Sequence, residues 1–234
     1  MTYPLCTTDI WPTLLSHTPV REVVAPTGTI IRGLFPSTKA KRMVSFEQLL
    51  ERDALYLFEF ARQVADIQEQ PFKLKYKMGN KVRRYTPDYA LILVDGSILI
   101  VEVKPARSLA KPEVHEKLLH VREAMYRQGH QYLVLSSDTI RSPHRLDNLK
   151  KLHRYLRQPL SGVDLMVHRQ LKSLLSLECA VPLCQLEALR GSSEPVMRLL
   201  AHGLLSCDLD HLITPDTRIT LTKQEADYVF VDSL

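Results

Sequence analysis

Cysteine is scarce in this chain, four in 234 residues, and Cys6, Cys179, Cys184 and Cys207 include no C-x-x-C pair. A disulfide framework and a zinc site are both excluded by that spacing, since the nine histidines add no ligand pattern to the thiols. There is no H-E-x-x-H either, so His115, His120, His144 and His153 read as surface or helix-end residues. Cys184 and Cys207 fall in apolar helical stretches and read as small core residues. No run approaches the ~18 consecutive apolar residues of a membrane-spanning helix, and Met1-Thr2-Tyr3-Pro4-Leu5 lacks the basic start of a secretory leader. The expectation is a reduced, cytoplasmic protein without a membrane span. With neither an internal repeat nor a low-complexity tract, 45% apolar and 24% charged residues describe an ordinary globular chain with a packed core. Its length allows a main domain and a small second one. Lys and Arg number 31 against 26 acids, a net charge of +5 that matters only where it clusters.

Five prolines between Pro4 and Pro36 mark residues 1–44 as an irregular arm with at most short extended pieces, ending in Lys39, Lys41 and Arg42 as candidate phosphate contacts. Ser45 with Gln48 forms a capping-box pattern, and Phe46, Leu49, Leu50, Leu57, Phe58 and Ala61 predict a helix over about 46–63. Phe72, Leu74, Tyr76 and Met78 alternate with lysines up to Gly79-Asn80, which predicts two strands joined by a tight turn. Tyr89 to Val94 and Ile98 to Val103 are apolar runs around Asp95-Gly96-Ser97, a hairpin buried on both faces. A helix from Pro112 to Arg127, stopped by Gly129, and a strand from Gln131 to Leu135 make a crossover unit. A last core helix, Pro143 to Leu156, precedes Pro159 and Gly162. The expected domains are therefore 1–44, 45–162 and 163–234. The third offers helices near 164–178, 182–190 and 194–207 and then a hairpin from Ile213 to Leu221, the order of a winged helix.

Glu102 and Lys104 are two apart at the end of a strand, so both side chains project to one face. Phosphodiester hydrolysis needs carboxylates to hold Mg²⁺ or Mn²⁺ and a cation to steady charge or orient water, and Asp88, Glu102 and Lys104 supply these. Register tests the idea. A two-residue loop at Asp95-Gly96 would turn Asp88 to the opposite face; a three-residue loop at Asp95-Gly96-Ser97 sets 88 opposite 104 and all three on one face, and is the one predicted. Lys73, Lys75, Lys77, Lys81, Arg83 and Arg84 lead into Asp88 without an intervening acid and read as a phosphate track for double-stranded DNA. A second cluster, Arg141, Arg145, Lys150, Lys151, Arg154 and Arg157 with the single acid Asp147, reads equally as a DNA-facing helix or a charged solvent face.

Pro87-Asp88, a spacer and Glu102-x-Lys104 resemble the PD-(D/E)xK nuclease superfamily, and the helix, hairpin, hairpin, helix, strand order fits its core. A closer resemblance, over about Val44 to Ala106, is to TnsA, the endonuclease subunit of TnsABC-type cut-and-paste transposases. Glu51, the phrase Asp66-Ile67-Gln68-Glu69-Gln70, then Tyr85-Thr86-Pro87-Asp88 and Val101-Glu102-Val103-Lys104-Pro105-Ala106 carry it. Some members of that family have Gln where this chain has Glu102. The resemblance implies an α/β fold, a restriction-endonuclease-like mixed sheet flanked by helices, with a small C-terminal winged-helix-like domain. Asp88 and Glu102 would be the principal metal ligands, Glu51 a helix carboxylate of the same site, the Val103 carbonyl an extra ligand and Lys104 the catalytic cation. Read without the family, Glu51 is a surface helix charge, and Gln70 is a polar contact at a strand entry. The implied activity is Mg²⁺-dependent cleavage of the 5′ strands at transposon ends, with Mn²⁺ able to substitute. The implied partners are a TnsB-type transposase and a TnsC-type ATPase regulator, with the C-terminal domain docking one of them or DNA. Two other readings stand beside this one: another PD-(D/E)xK nuclease of restriction or repair, and a non-catalytic DNA-binding scaffold.

Overall fold

The computed structural model describes residue 19, residues 31–174 and residues 180–222. The expectations for Cys6, Cys179 and most of the arm before residue 31 lie outside the described residues. The described chain forms two compact units that divide between Ile140 and Arg141, twenty-odd residues earlier than the proline and glycine at 159 and 162 suggest.

The first unit runs β1 (Gly33–Ser37), β2 (Arg42–Phe46), α1 (Leu49–Phe60), β3 (Val64–Glu69), β4 (Leu74–Met78), β5 (Lys81–Tyr85), β6 (Tyr89–Leu93), β7 (Ile98–Lys104), α2 (Ala106–Leu109), α3 (Pro112–Arg127), β8 (Gln131–Ser136) and α4 (Ser137–Ile140). Four strands make its main sheet in the order β3-β6-β7-β8. The first two pairings are antiparallel and β7 with β8 is parallel, which requires a crossover and receives one in α2 and α3. On one face Ala90 and Ile100 meet Val121 and Met125 of α3, and Phe72, Leu74, Tyr76 and Tyr85 of the β4-β5 ribbon close the same cluster. On the other face Phe58 of α1 stands edge-on to Tyr89 at 5.6 Å. This is a mixed α/β sheet flanked by helices, as expected of a nuclease-like fold.

Four local readings change. The arm contains a hairpin, β1 against β2 with Gly33 opposite Phe46. Ser45 does not cap a helix: it lies in β2, where its N–H and Oγ donate to Glu69 Oε1 at 3.2 Å, and Arg42 grips the same buried carboxylate at 2.6 Å. Helix α1 therefore starts at Leu49, with Gln48 at the cap position and no side-chain cap bond. Lys39 donates to the Ala61 carbonyl at the end of α1 and to Val64 O at 2.5 Å. Lys39 and Arg42 thus hold protein oxygens, against their reading as phosphate contacts. The strand β3 is new. Its polar Asp66, Gln68 and Glu69 and a register shift between Val64 and Asp66 hide the alternation that marks a strand.

The second unit comprises α5 (Arg145–Leu156), α6 (Gly162–Leu174), β9 (Val181–Pro182), α7 (Leu183–Arg190), α8 (Glu194–Ala201), β10 (Leu205–Ser206) and β11 (Arg218–Leu221). Its small antiparallel sheet has the order β10-β11-β9. Helix α5 belongs here because it buries Leu146, Leu149 and Leu152 within this unit, packed on α8. Helix α8 stops at Ala201: Gly203 takes φ 69, Gly203 N donates to Leu200 O and Leu204 N to Leu199 O at 2.9 Å, which satisfies the last carbonyls and ends the helix. β11 therefore pairs with β10 and β9, not with the expected segment at Leu212-Ile213. That segment is a loop held by the buried Asn148, whose Nδ2 donates to Leu209 O and His211 O at 2.9 and 2.7 Å and whose Oδ1 accepts Ile213 N at 3.0 Å. Cys207 is buried and Cys184 half-buried. Burial pushes the Cys207 thiol up to about 12, which suits a core residue. Among the described residues no helix is long and apolar enough to cross a membrane.

Candidate active site

The β6-β7 hairpin decides whether the site exists. Val94 leaves the β6-β7 ladder because its N–H donates to Gln63 O at 2.7 Å, and the Leu93 N–H donates to Ser97 O at 2.8 Å. Gly96 N closes the turn on Leu93 O, and Gly96 supplies φ +83, a conformation that favours glycine. Asp95 Oδ1 accepts the Ser97 N–H and hydroxyl at 2.9 and 2.6 Å. The loop is thus Val94-Asp95-Gly96, three residues as predicted but one place earlier. With Tyr89 opposite Val101, Asp88 stands across from Glu102 rather than across from Lys104. Two places of difference preserve the side-chain parity, so Asp88, Glu102 and Lys104 share a face.

On that face the groups meet. The Lys104 ammonium lies 2.5 Å from Glu102 Oε1 and 3.7 Å from Asp88 Oδ2, and it donates to the Val103 carbonyl at 3.2 Å. Asp88 Oδ2 also accepts the Val103 N–H at 2.8 Å. The Glu102 side chain is 2% exposed. Burial, and then the Glu102 charge, push the Asp88 carboxyl well above the usual carboxylate range, although Lys104 and the Val103 N–H pull the other way. Burial alone would lower Lys104; Asp88 and Glu102 more than offset it and raise the ammonium above its ordinary value. The lysine is therefore a permanent cation, held in its charged form by the carboxyl groups beside it.

Glu51 sits in the first turn of α1, where its Oε2 accepts the Glu47 N–H at 2.7 Å. Burial and the neighbouring Glu47 charge raise its pKa, opposed by the Glu47 N–H and by Lys104. It lies within electrostatic reach of Asp88 and Lys104, while its hydrogen bond is that of a helix-end carboxylate. Gln70 also does more than enter a strand. At φ 43 its backbone leaves β3, its N–H donates to Asp88 O at 2.9 Å and its Nε2 to Glu47 Oε1 at 3.3 Å.

Two site residues carried no role in the sequence reading. Tyr85 donates to Glu102 Oε2, and the Tyr85 and Tyr132 hydroxyls are 2.9 Å apart. Tyr85 adjoins the Thr86-Pro87-Asp88 stretch and falls on the inward phase of its strand, which was a usable signal. Tyr132 sits on β8, and nothing local marked it.

The six cations between Lys73 and Arg84 all lie on the ribbon or at its start, and all are exposed. Pairing of Lys75 with Arg84 and of Tyr76 with Arg83 splits them between two faces. Lys73, Lys75, Lys77 and Arg84 share the face turned away from the core; Lys81 and Arg83 share the face of Leu74 and Tyr76 beyond the buried part. Of the second cluster, Arg145 pairs with Asp210 at 2.6 Å and Lys151 donates to Ile213 O at 3.4 Å, so part of it stabilises its own unit.

Residues 61–137 match the family described as TnsA-like endonuclease N terminal. This segment, about a third of the chain, is similar to a TnsA-like endonuclease domain. The match takes in Tyr85, Asp88, Glu102, Val103, Lys104 and Tyr132 and the whole β4-β5 ribbon; Glu51 and the second unit lie outside it. No curated protein gives a match to the chain.

Proposed function

We propose that the chain is a divalent-metal-dependent DNA endonuclease that cleaves the 5′ strands at the ends of a Tn7-like transposon. It would act with a TnsB-type transposase and a TnsC-type ATPase regulator. The observation that carries this reading is the Lys104 ammonium held between Glu102 Oε1 and Asp88 Oδ2 inside a TnsA-like endonuclease domain. Among the described residues no three His, Cys, Asp or Glu side chains form a ready-made metal cage. The donor set nevertheless fits Mg²⁺. It consists of hard oxygens only, and Mg²⁺ commonly takes one or two protein carboxylates and fills its octahedron with water and phosphate.

Asp88, Glu102 and the Val103 carbonyl would hold the ion, with Glu51 adding a carboxylate from α1; Mn²⁺ would substitute. When bound, Mg²⁺ supplies charge against the scissile phosphate and makes water a better nucleophile. The protein's own part is to keep these oxygens in place. The Val103 N–H fixes Asp88, the strand period sets Glu102 and Lys104 side by side, and Lys104 offers N–H donors to the negative charge that builds on the phosphate. Lys73, Lys75, Lys77 and Arg84, with Lys81 and Arg83 at the ribbon's other face, would track DNA phosphates.

The second unit supports a winged-helix-like reading through its order from α6 onward, helix, strand, helix, helix, strand, strand, and its β10-β11-β9 sheet. Its role would be docking of the transposase, the regulator or DNA. The test is cleavage of transposon-end DNA by the chain with both partners, with breaks mapped on each strand. The expected result is 5′-strand breaks with Mg²⁺ or Mn²⁺, none with chelator, and a loss of about 10²-fold or more on Lys104→Ala. Metal-independent breaks, or wild-type cleavage by Lys104→Ala, would overturn the reading.

A further inference from the structure

We infer that Tyr85, backed by Tyr132, is a positioning residue that dedicates one oxygen of Glu102 to the protein and leaves the other as its single cation-binding oxygen. The inference rests on the proposed metal site. Glu102 has two carboxylate oxygens with different fates: Oε1 faces the Lys104 ammonium at 2.5 Å, and Oε2 accepts the Tyr85 hydroxyl. A nearly fully buried carboxylate could otherwise rotate about its last torsion, which is broad for Glu, and exchange its oxygens.

Three features hold the tyrosine in place. Its ring is buried in the cluster formed by Phe72, Leu74, Tyr76, Ala90, Ile100, Val121 and Met125. The Lys117 ammonium stands over that ring, 5.3 Å from its centroid. Its hydroxyl is 2.9 Å from that of Tyr132, whose ring stands edge-on at 6.4 Å. Tyr85 ends β5 and Tyr132 lies in β8 of the main sheet, so the donor is fixed by two strands rather than by a loop. Hydrogen-bond partners of this kind orient a metal ligand, and their loss costs about 10- to 100-fold in metal affinity or activity.

Glu102 would then hold the ion through Oε1, the oxygen that Tyr85 leaves open. Tyr85→Phe keeps the ring and removes only the donor. Calorimetric titration of the full chain with Mn²⁺ should then show about 10- to 100-fold weaker binding, with a matching rise in the Mg²⁺ concentration needed for half-maximal cleavage. Affinity for transposon-end DNA without divalent cation should stay unchanged. Tyr132→Phe retains the Tyr85 donor and should show a smaller effect of the same kind. The double variant with Glu102→Gln separates the two ideas. If Glu102→Gln alone abolishes Mn²⁺ binding and Tyr85→Phe, still melting cooperatively, binds as wild type, the positioning role is wrong while the site stands. If Glu102→Gln binds Mn²⁺ as wild type, the metal site is wrong and the positioning role falls with it. If both single variants weaken binding and Tyr85→Phe adds nothing in the Glu102→Gln background, the two act as one unit and the inference holds.

Discussion

The Asp88 carboxylate is tied to the backbone of Val103, whose N–H donates to Oδ2 at 2.8 Å while the Val103 carbonyl accepts from the Lys104 ammonium at 3.2 Å. One short stretch of β7 backbone thereby sets the distance between an acid and a cation that come from neighbouring strands. Asp88 holds this position at an electrostatic cost. Burial and then Glu102 raise its pKa in the folded chain. A raised carboxyl holds its proton in the fold at pH values where the unfolded chain has lost it, so its contribution is full at acid pH and declines as pH rises through the raised value. Asp88→Asn removes that penalty. It should abolish metal-dependent cleavage yet melt no lower than wild type at neutral pH without metal, and any gain over wild type should fade toward acid pH. Melting curves at two pH values with a strand-cleavage assay check this, and cleavage at the wild-type rate would remove Asp88 from the site.

On the DNA-tracking role proposed for the ribbon, its two faces give binding a direction that the cation count alone does not. Lys73, Lys75 and Arg84 fall together on the outward face because Lys75 pairs with Arg84, whereas Lys81 and Arg83 fall on the opposite one. Replacing the first three by Ala should lower the slope of log affinity against log salt by about 0.9 for each DNA phosphate that is no longer neutralised. Replacing Lys81 and Arg83 should lower it less for each residue removed. Titrations at several salt concentrations measure both slopes; equal reductions per residue would mean that DNA does not distinguish the two faces.

How much of this was readable in the sequence depended on how locally each feature is encoded. The β4-β5 ribbon was legible because its alternation and Gly79-Asn80 turn are local, and α3 because Pro112 opens it and Gly129 closes it. The shared face of Asp88, Glu102 and Lys104 was legible through parity. The register itself was not, since it depends on Gln63, far back along the chain, capturing the Val94 N–H. Ser45 misled for the same reason: its capping pattern is real, but Glu69 offers two bonds from across the fold. The Tyr85-Tyr132 pair spans 47 residues and has no short-range signature, while β3 was obscured by its own polar residues and bulge.

In the second unit Arg198 of α8 is committed to Asp164, with Nη2 to Oδ1 at 2.9 Å and the Asp164 side chain 0% exposed. Burial pushes the Asp164 carboxyl up, but the hydrogen bonds from Arg198 and Ser161 outweigh it and hold the pKa below the usual value. A lowered carboxylate stabilises the fold above its unfolded value, and that contribution is lost as pH falls through the lowered one. Asp164→Asn should therefore destabilise the unit by about 3 kcal/mol at neutral pH, the scale for breaking one half of a buried ion pair. The difference from wild type should shrink below about pH 4, where the carboxylate of the unfolded chain begins to protonate while the folded one still resists it. Denaturant unfolding at the two pH values decides it; a difference independent of pH would mean that the pair acts through packing rather than charge.

The boundary between the units yields the last expectation. A chain ended at residue 162 would retain α5 but remove α6 and α8, and α8 is the helix on which α5 packs. Leu146, Leu149 and Leu152 would then lose their cover, each worth about 1.5–3 kcal/mol of burial, and would form an apolar stripe open to solvent. A chain ended at residue 140 removes α5 with the rest of its unit and keeps the sheet, the ribbon, α3 and all of Glu51, Asp88, Glu102 and Lys104. The shorter chain should therefore be the better behaved of the two: it should melt cooperatively and bind Mn²⁺ with the affinity of the full chain. The longer one should bind a hydrophobic dye and self-associate. Cooperative melting of 1–162 with no dye binding, beside an unfolded 1–140, would show that α5 is part of the nuclease core and that the division lies after it.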